Sequence, residues 1–191
     1  MSFHNFKQHI PNMLTISRIL VIVPMCALLY GFESSTAYIS ALMLSLYAMI
    51  TDFFDGYLAR KWNIHSDLGR MLDPIADKLL VAALLVLLSS EGLAHPLAVV
   101  LIMLRELFIS GLRECMLQYN VVVHVTTLAK YKTASQMVAC FILLVVGMMP
   151  EYDLLRDVGD AMLWIATLLT LVTGYDYCRQ SFRFVLSHKS S

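Results

Sequence analysis

The chain has 191 residues, 59% of them hydrophobic and 15% charged, with a formal net charge of zero and a mean hydropathy of +0.70. Soluble domains run about 45–50% apolar and about 25% charged, so this composition points to an integral membrane protein and away from a soluble helical domain with a large core. The balanced charge gives no ground for expecting nucleic acid as a partner.

The length predicts one domain over residues 1–191. The start, MSFHNFKQHIPN, lacks the small-residue cleavage pattern of a signal peptide. Phe3 and Phe6 around Lys7 suit a short interfacial helix, with a disordered start as the alternative. Six apolar stretches follow, predicting spanning helices over Pro11–Tyr30, Thr36–Lys61, Asp67–Ser90, Pro96–Gln118, Tyr131–Met149 and Ala161–Arg183. Each approaches the ~20 residues needed to cross the hydrocarbon core. The expected fold is therefore an all-α integral membrane protein with six transmembrane helices.

Two of these stretches, LLVAALLVLL and LAVVLIML, reach spanning length only with the polar residues beside them. Such groups must face a protein interior or a wet cavity. GFESS and MPEYDLLRD read as the clearest turns, and no repeat or low-complexity segment interrupts the pattern. The cysteines, Cys26, Cys115, Cys140 and Cys178, are scattered with no CxxC pair and read as small buried hydrophobes.

Sidedness follows from the basic residues. In a six-span chain Lys7, Arg60, Lys61, Arg70, Arg113, Lys130, Lys132, Arg179, Arg183 and Lys189 fall on one side. The opposite loops carry Glu33, Glu91, Glu151, Asp153 and Asp157, with Arg156 as their basic residue. The positive-inside rule then places both termini, and the junction of the second and third helices, in the cytoplasm.

That junction holds the most unusual feature of the chain. Asp52 and Asp55 are three residues apart, and Asp73 and Asp77 are four apart. Both spacings put a pair on one helix face, with Cβ atoms about 5–6 Å apart. At that separation, and an effective dielectric near 20, two ionised carboxylates repel by roughly 3 kcal/mol. Protonation, bound cations and solvation as helix-end charges are the alternatives. An all-oxygen donor set favours a hard ion such as Mg²⁺ or Mn²⁺, and two divalent ions would balance four carboxylates. Asp67, after Ser66, reads as a helix N-cap or first-turn acid. Gly56, Ala59 and Gly69 leave room for a substrate at the backbone, or for close helix packing. Arg60, one turn beyond Asp55, is a fixed fork suited to phosphate.

Together Asp52, Asp55, Gly56, Ala59, Arg60, Gly69, Asp73 and Asp77 spell D-x-x-D-G-x-x-A-R, eight residues, then G-x-x-x-D-x-x-x-D. This resembles the full motif of the CDP-alcohol phosphotransferase family, with no departure at any defined position. IPNMLTISR in the first helix, LRELFISGLRE in the fourth and KYKTASQ opening the fifth agree with it. The resemblance implies a membrane enzyme that transfers a phosphatidyl group from CDP-diacylglycerol to an alcohol and releases CMP. It implies that Asp52, Asp55, Asp73 and Asp77 bind two divalent cations, Mg²⁺ or Mn²⁺, and that Asp77 is also the base. Gly56, Ala59, Arg60 and Gly69, with Asn12 and Thr15 on the first helix, would contact CDP-diacylglycerol. Dimers known in that family make a homodimer an expectation, and a bacterial cytoplasmic membrane is the expected location.

The acceptor needs cations of its own. Arg105 and Arg113 lie two turns apart on the fourth helix, while Lys130 and Lys132 begin the fifth. They are the expected binders of glycerol 3-phosphate, with Glu106 and Glu114 as rival structural partners. Members of the family that form cardiolipin or use an inositol phosphate are the alternatives within the enzyme class. A divalent-cation transporter is the alternative outside it, although the carboxylates cluster at one end and no repeat is visible.

Overall fold

The structure, a computed structural model, describes residues 3–32, 34–62, 67–118 and 128–188, and the side chains of 13–32, 34–55, 57, 72–73, 75–118 and 131–183. Among the described residues the regular elements are α-helices: α1 (Phe3–Gly31), α2 (Ser35–Trp62), α3 (Asp67–Ser90), α4 (Pro96–Gln118), α5 (Leu128–Met148) and α6 (Asp153–His188). The ends of α3 and α4 coincide with those expected from the sequence. α1 instead runs unbroken from Phe3, so the N-terminal residues continue the helix rather than forming a separate interfacial one.

The larger difference lies before α6. Only residues 149–152 separate it from α5, so most of MPEYDLLRD is helix and not turn. Asp153 explains the early start, because a carboxylate in the first turn complements the positive end of the helix dipole. The amides of Leu155 and Arg156 bond back to the Tyr152 carbonyl at 3.0 and 3.3 Å. α2 is capped in the ordinary way: the Ala37 amide donates to Ser34 Oγ at 3.3 Å. α4 opens with Pro96 at its first position, where a missing N–H costs nothing.

Among the described residues, four helical stretches are long and apolar enough to cross a membrane: Met13–Gly31, Ser35–Asp55, Tyr131–Met148 and Asp153–Arg183. α3 and α4 have the length, at 24 and 23 residues, but charged residues interrupt their apolar runs. The cysteines depart from their expected uniform burial: Cys140 is buried, Cys26 and Cys178 are partly exposed, and Cys115 is exposed on α4.

The chain packs as two compact units, Met1–Leu88 with Leu144–Glu151, and Ser89–Leu143 with Tyr152–Ser191. In the first, α1 and α2 lie against one another. The buried face of α2 is a stripe of small residues, Ala37, Ala41, Ser45 and Ala48, which lets the two backbones approach closely. α1 answers with Met25 and Leu29, and Ser45 Oγ contacts Met25 Sδ at 3.5 Å. The end of α5 joins this unit at a point where only glycine fits. A Cβ on Gly147 would lie 2.5 Å from the Tyr38 ring.

In the second unit α4 packs on α6. Ala98, Val99, Ile102, Ile109 and Met116 form the buried face of α4. The buried face of α6 is far more polar, alternating Leu163 and Ala166 with Thr167, Thr170, Thr173 and Ser181. Each of these hydroxyls bonds a carbonyl of the preceding turn, which lets it sit in an apolar setting.

Candidate active site

In the first unit the buried stripe of each helix is apolar at one end and turns polar at the other. On α1, Leu29 and Met25 are followed at helical spacing by Arg18 and Thr15, both fully buried. On α2, Ala41, Ser45 and Ala48 lead to Asp52 and Asp55. On α3, Leu88, Leu84 and Leu80 lead back to Asp77 and Asp73. The polar ends meet.

The meeting point is the Arg18 guanidinium. Its Nη1 donates to Asp77 Oδ1 at 2.7 Å and lies 2.6 Å from Asp52 Oδ1. Its Nη2 donates to Asp55 Oδ2. Thr15, one turn earlier, has its Oγ1 2.7 Å from Asp73 Oδ1 and 3.5 Å from Asp55 Oδ2. A hydroxyl carries one proton, so it serves Asp73 and the longer contact is the weaker. The four carboxylates predicted as a set are thus brought together, in one unit, by two residues of α1.

Burial divides the four aspartates. The Asp55 side chain is 5% exposed, whereas those of Asp52 and Asp77 are each 46% exposed. The site therefore has a closed floor at Asp55 and an open side at Asp52 and Asp77. Among the described residues no three of His, Cys, Asp and Glu form a ready metal cage, and Asp52, Asp55 and Asp77 close on the guanidinium. The donor set nonetheless fits a hard divalent ion: it is carboxylate oxygen throughout, already turned on one cation, and open to solvent on one side.

Arg18 is the functional residue that sequence reasoning missed. The signal was present, since an arginine inside LTISRILVIV is a charge within an apolar run and marks a site by default. The side chains of Asn12, Gly56, Ala59, Arg60, Gly69 and Lys130 lie outside the described residues.

The predicted acceptor cations lie in the second unit. Arg105 and Lys132 converge on a single carboxylate, Glu106: Arg105 Nη1 is 3.1 Å from its Oε1, and Lys132 Nζ bonds the same oxygen. Arg105 Nη2 donates to Thr173 Oγ1 at 3.0 Å, and Gln136 Nε2 donates to Thr170 Oγ1 at 2.9 Å. Gly174 makes room for this arginine, since a Cβ there would lie 3.0 Å from both Cγ and Nε of Arg105. Two cations share one carboxylate. Arg113 stands apart from it, exposed, with its guanidinium 5.8 Å from the centroid of the Tyr177 ring. Glu106 therefore partners Arg105 and Lys132, not Arg113.

The comparisons with known proteins agree with this chemistry. Residues 8–172 match the family model described as CDP-alcohol phosphatidyltransferase. The chain belongs to that family, whose members generally use divalent cations. A relative from Rickettsia bellii is 43% identical over 178 residues, covering 92% of this chain and 98% of the relative. One from Cereibacter sphaeroides is 37% identical, covering 94% and 98%, and one from Bacillus subtilis is 34% identical, covering 88% and 93%. All three are named CDP-diacylglycerol–glycerol-3-phosphate 3-phosphatidyltransferase.

The unequal burial of the aspartates sets a test. Asp55→Ala removes a buried partner of a buried arginine and is expected to cost about 3–5 kcal/mol of stability. Asp52→Ala removes a half-exposed partner and is expected to cost about 1 kcal/mol or less. Thermal unfolding of the two variants side by side, in chelator, checks the order; equal losses would contradict it.

Proposed function

We propose that this chain transfers the phosphatidyl group of CDP-diacylglycerol to glycerol 3-phosphate, giving phosphatidylglycerophosphate and CMP. The observation that carries the reading is the convergence of four aspartates on Arg18 and Thr15, in a chain whose relatives at 34–44% identity are named for that reaction. Asp52, Asp55, Asp73 and Asp77 would hold two divalent cations, Mg²⁺ or Mn²⁺, which when bound neutralise the diphosphate and the charge developing on the leaving CMP.

The chain's own residues supply the rest. Asp77, half exposed on the open side, takes the proton of the attacking hydroxyl. The hydroxyl oxygen bonds the phosphatidyl phosphorus as the bond from that phosphorus to the CMP phosphate oxygen breaks. Asn12, Thr15, Gly56, Ala59, Arg60 and Gly69 bind CDP-diacylglycerol, with Arg60 on the diphosphate. Arg105, Arg113, Lys130 and Lys132 hold the phosphate of the acceptor, in competition with Glu106 for the first and last of them. The protein works in a bacterial cytoplasmic membrane, with both termini and the carboxylate cluster on the cytoplasmic side.

Purified protein in proteoliposomes, given CDP-diacylglycerol and a panel of alcohols, is expected to release CMP and form phosphatidylglycerophosphate with glycerol 3-phosphate alone. Chelation should stop turnover, and Mg²⁺ or Mn²⁺ should restore it. A lipid product from another acceptor would reassign the substrate, and metal uptake without CMP release would replace the enzyme reading with a transporter.

Arg105→Gln removes charge-assisted hydrogen bonds of about 1.5–3 kcal/mol, so the apparent Michaelis constant for glycerol 3-phosphate should rise roughly ten- to a hundredfold. The constant for CDP-diacylglycerol should hold. An unchanged acceptor constant in a folded variant would remove Arg105 from the acceptor site.

Asn63, between α2 and α3 and outside the described residues, reports the orientation. A cysteine there, in a cysteine-free background, should resist an impermeant thiol reagent in intact cells and react once the membrane is opened. Labelling from outside would invert the topology.

A further inference from the structure

Arg18 is fully buried, and its fork is spent entirely on carboxylates. Nη1 carries two protons and meets two oxygens, Asp52 Oδ1 at 2.6 Å and Asp77 Oδ1 at 2.7 Å. Nη2 is taken by Asp55. The third nitrogen, Nε, is buried with no hydrogen-bond partner among the described residues. A buried guanidinium with an orphaned N–H is costly, so the arginine depends on its carboxylates as much as they depend on it. Those oxygens are also the donors that a divalent ion would need, and two of the three aspartates are half open to solvent. One set of oxygens cannot serve both cations at full strength.

We propose that Arg18 is the resident counter-cation of this cluster: it holds Asp52, Asp55 and Asp77 together without metal, and it competes with divalent metal for their oxygens. Arg18 is thus a positioning residue that sets metal affinity. The inference rests on the assignment of metal to these aspartates made above. A merely structural arginine would weaken metal binding or leave it alone when removed, because the ligands would lose their support. A competing arginine does the reverse.

The experiment uses the full chain in detergent, with Mn²⁺ alone as the probe and no lipid substrate. Free Mn²⁺ is read by electron paramagnetic resonance, and thermal unfolding is followed in chelator and in saturating Mn²⁺. Arg18→Met, neutral and long, is expected to bind Mn²⁺ at least about tenfold more tightly than the unaltered chain, the equivalent of losing one charge-assisted contact. Its unfolding midpoint should fall by several degrees in chelator and recover most of that loss in Mn²⁺. Arg18→Lys keeps the charge but not the fork and should fall between the two in both readouts. Should Arg18→Met fail to fold, Arg18→Lys decides by the same signs.

Mn²⁺ binding by a folded variant that is equal to or weaker than that of the unaltered chain would overturn the proposal. So would a midpoint that falls equally with and without Mn²⁺. A different failure belongs to the metal assignment: if the unaltered chain binds no Mn²⁺ saturably, or binds it unchanged after Asp73→Asn, both readings fall together.

Discussion

A guanidinium buried between helices, enclosed by carboxylates, is the constraint on which the first unit is built. In a low-dielectric interior neither charge is tolerable alone, and the register of α1, α2 and α3 must deliver the partners to within hydrogen-bond length. The apolar stripes make this possible. Ala37, Ala41, Ser45 and Ala48 let α1 and α2 approach closely enough for a side chain on one to reach carboxylates on the other. The same spacing that buries Met25 and Leu29 points Arg18 and Thr15 at Asp52, Asp55, Asp73 and Asp77. Packing and chemistry are one pattern read along the helix.

The second unit solves the same problem with the opposite sign. Arg105 and Lys132 are largely buried cations, and Glu106, next to Arg105 on α4, supplies the carboxylate they share. Thr173 accepts from Nη2 of Arg105, and Gly174 leaves the space in which that arginine lies. The buried threonines of α6 carry their own solution, since each returns its proton to its own helix, and Thr170 and Thr173 also accept from Gln136 and Arg105. Two cations meet one carboxylate here, where three carboxylates meet one guanidinium in the first unit. An excess of carboxylate around one arginine suits a cation.

Much of this was legible in the chain before any coordinates. Carboxylates at three- and four-residue spacing had to share a face, so the pairing of Asp52 with Asp55 and of Asp73 with Asp77 followed from helical geometry alone. The ends of α3 and α4 were legible because Pro96 and the charged residues mark them. α6 was misjudged because its first residues, DLLRD, look like a polar turn when polarity is counted and like a helix start when the dipole is considered. Arg18 was passed over because a single charge in a long apolar run was absorbed into the span. Which cation pairs with Glu106 was not legible at all. Arg105, Arg113 and Lys132 have similar claims by type, and only the packing of α4, α5 and α6 selects two of them.

The depth of the carboxylate cluster follows from the same helices. In the sequence Thr15 and Arg18 follow the polar stretch KQHIPN, and Asp52 and Asp55 precede the basic stretch ARKWN. Thr15, Arg18, Asp52 and Asp55 therefore lie towards the polar ends of their apolar runs. A charge at mid-membrane would be costly, whereas one at this depth can reach water through the half-exposed Asp52 and Asp77. A phospholipid carries its phosphate where hydrocarbon meets water, with its chains below and its headgroup above. A site built here can meet a lipid phosphate without lifting the lipid from the bilayer, and can meet a soluble reactant without drawing water into the core. The buried arginine meets three of these carboxylates at once, so their charges are balanced within the helices.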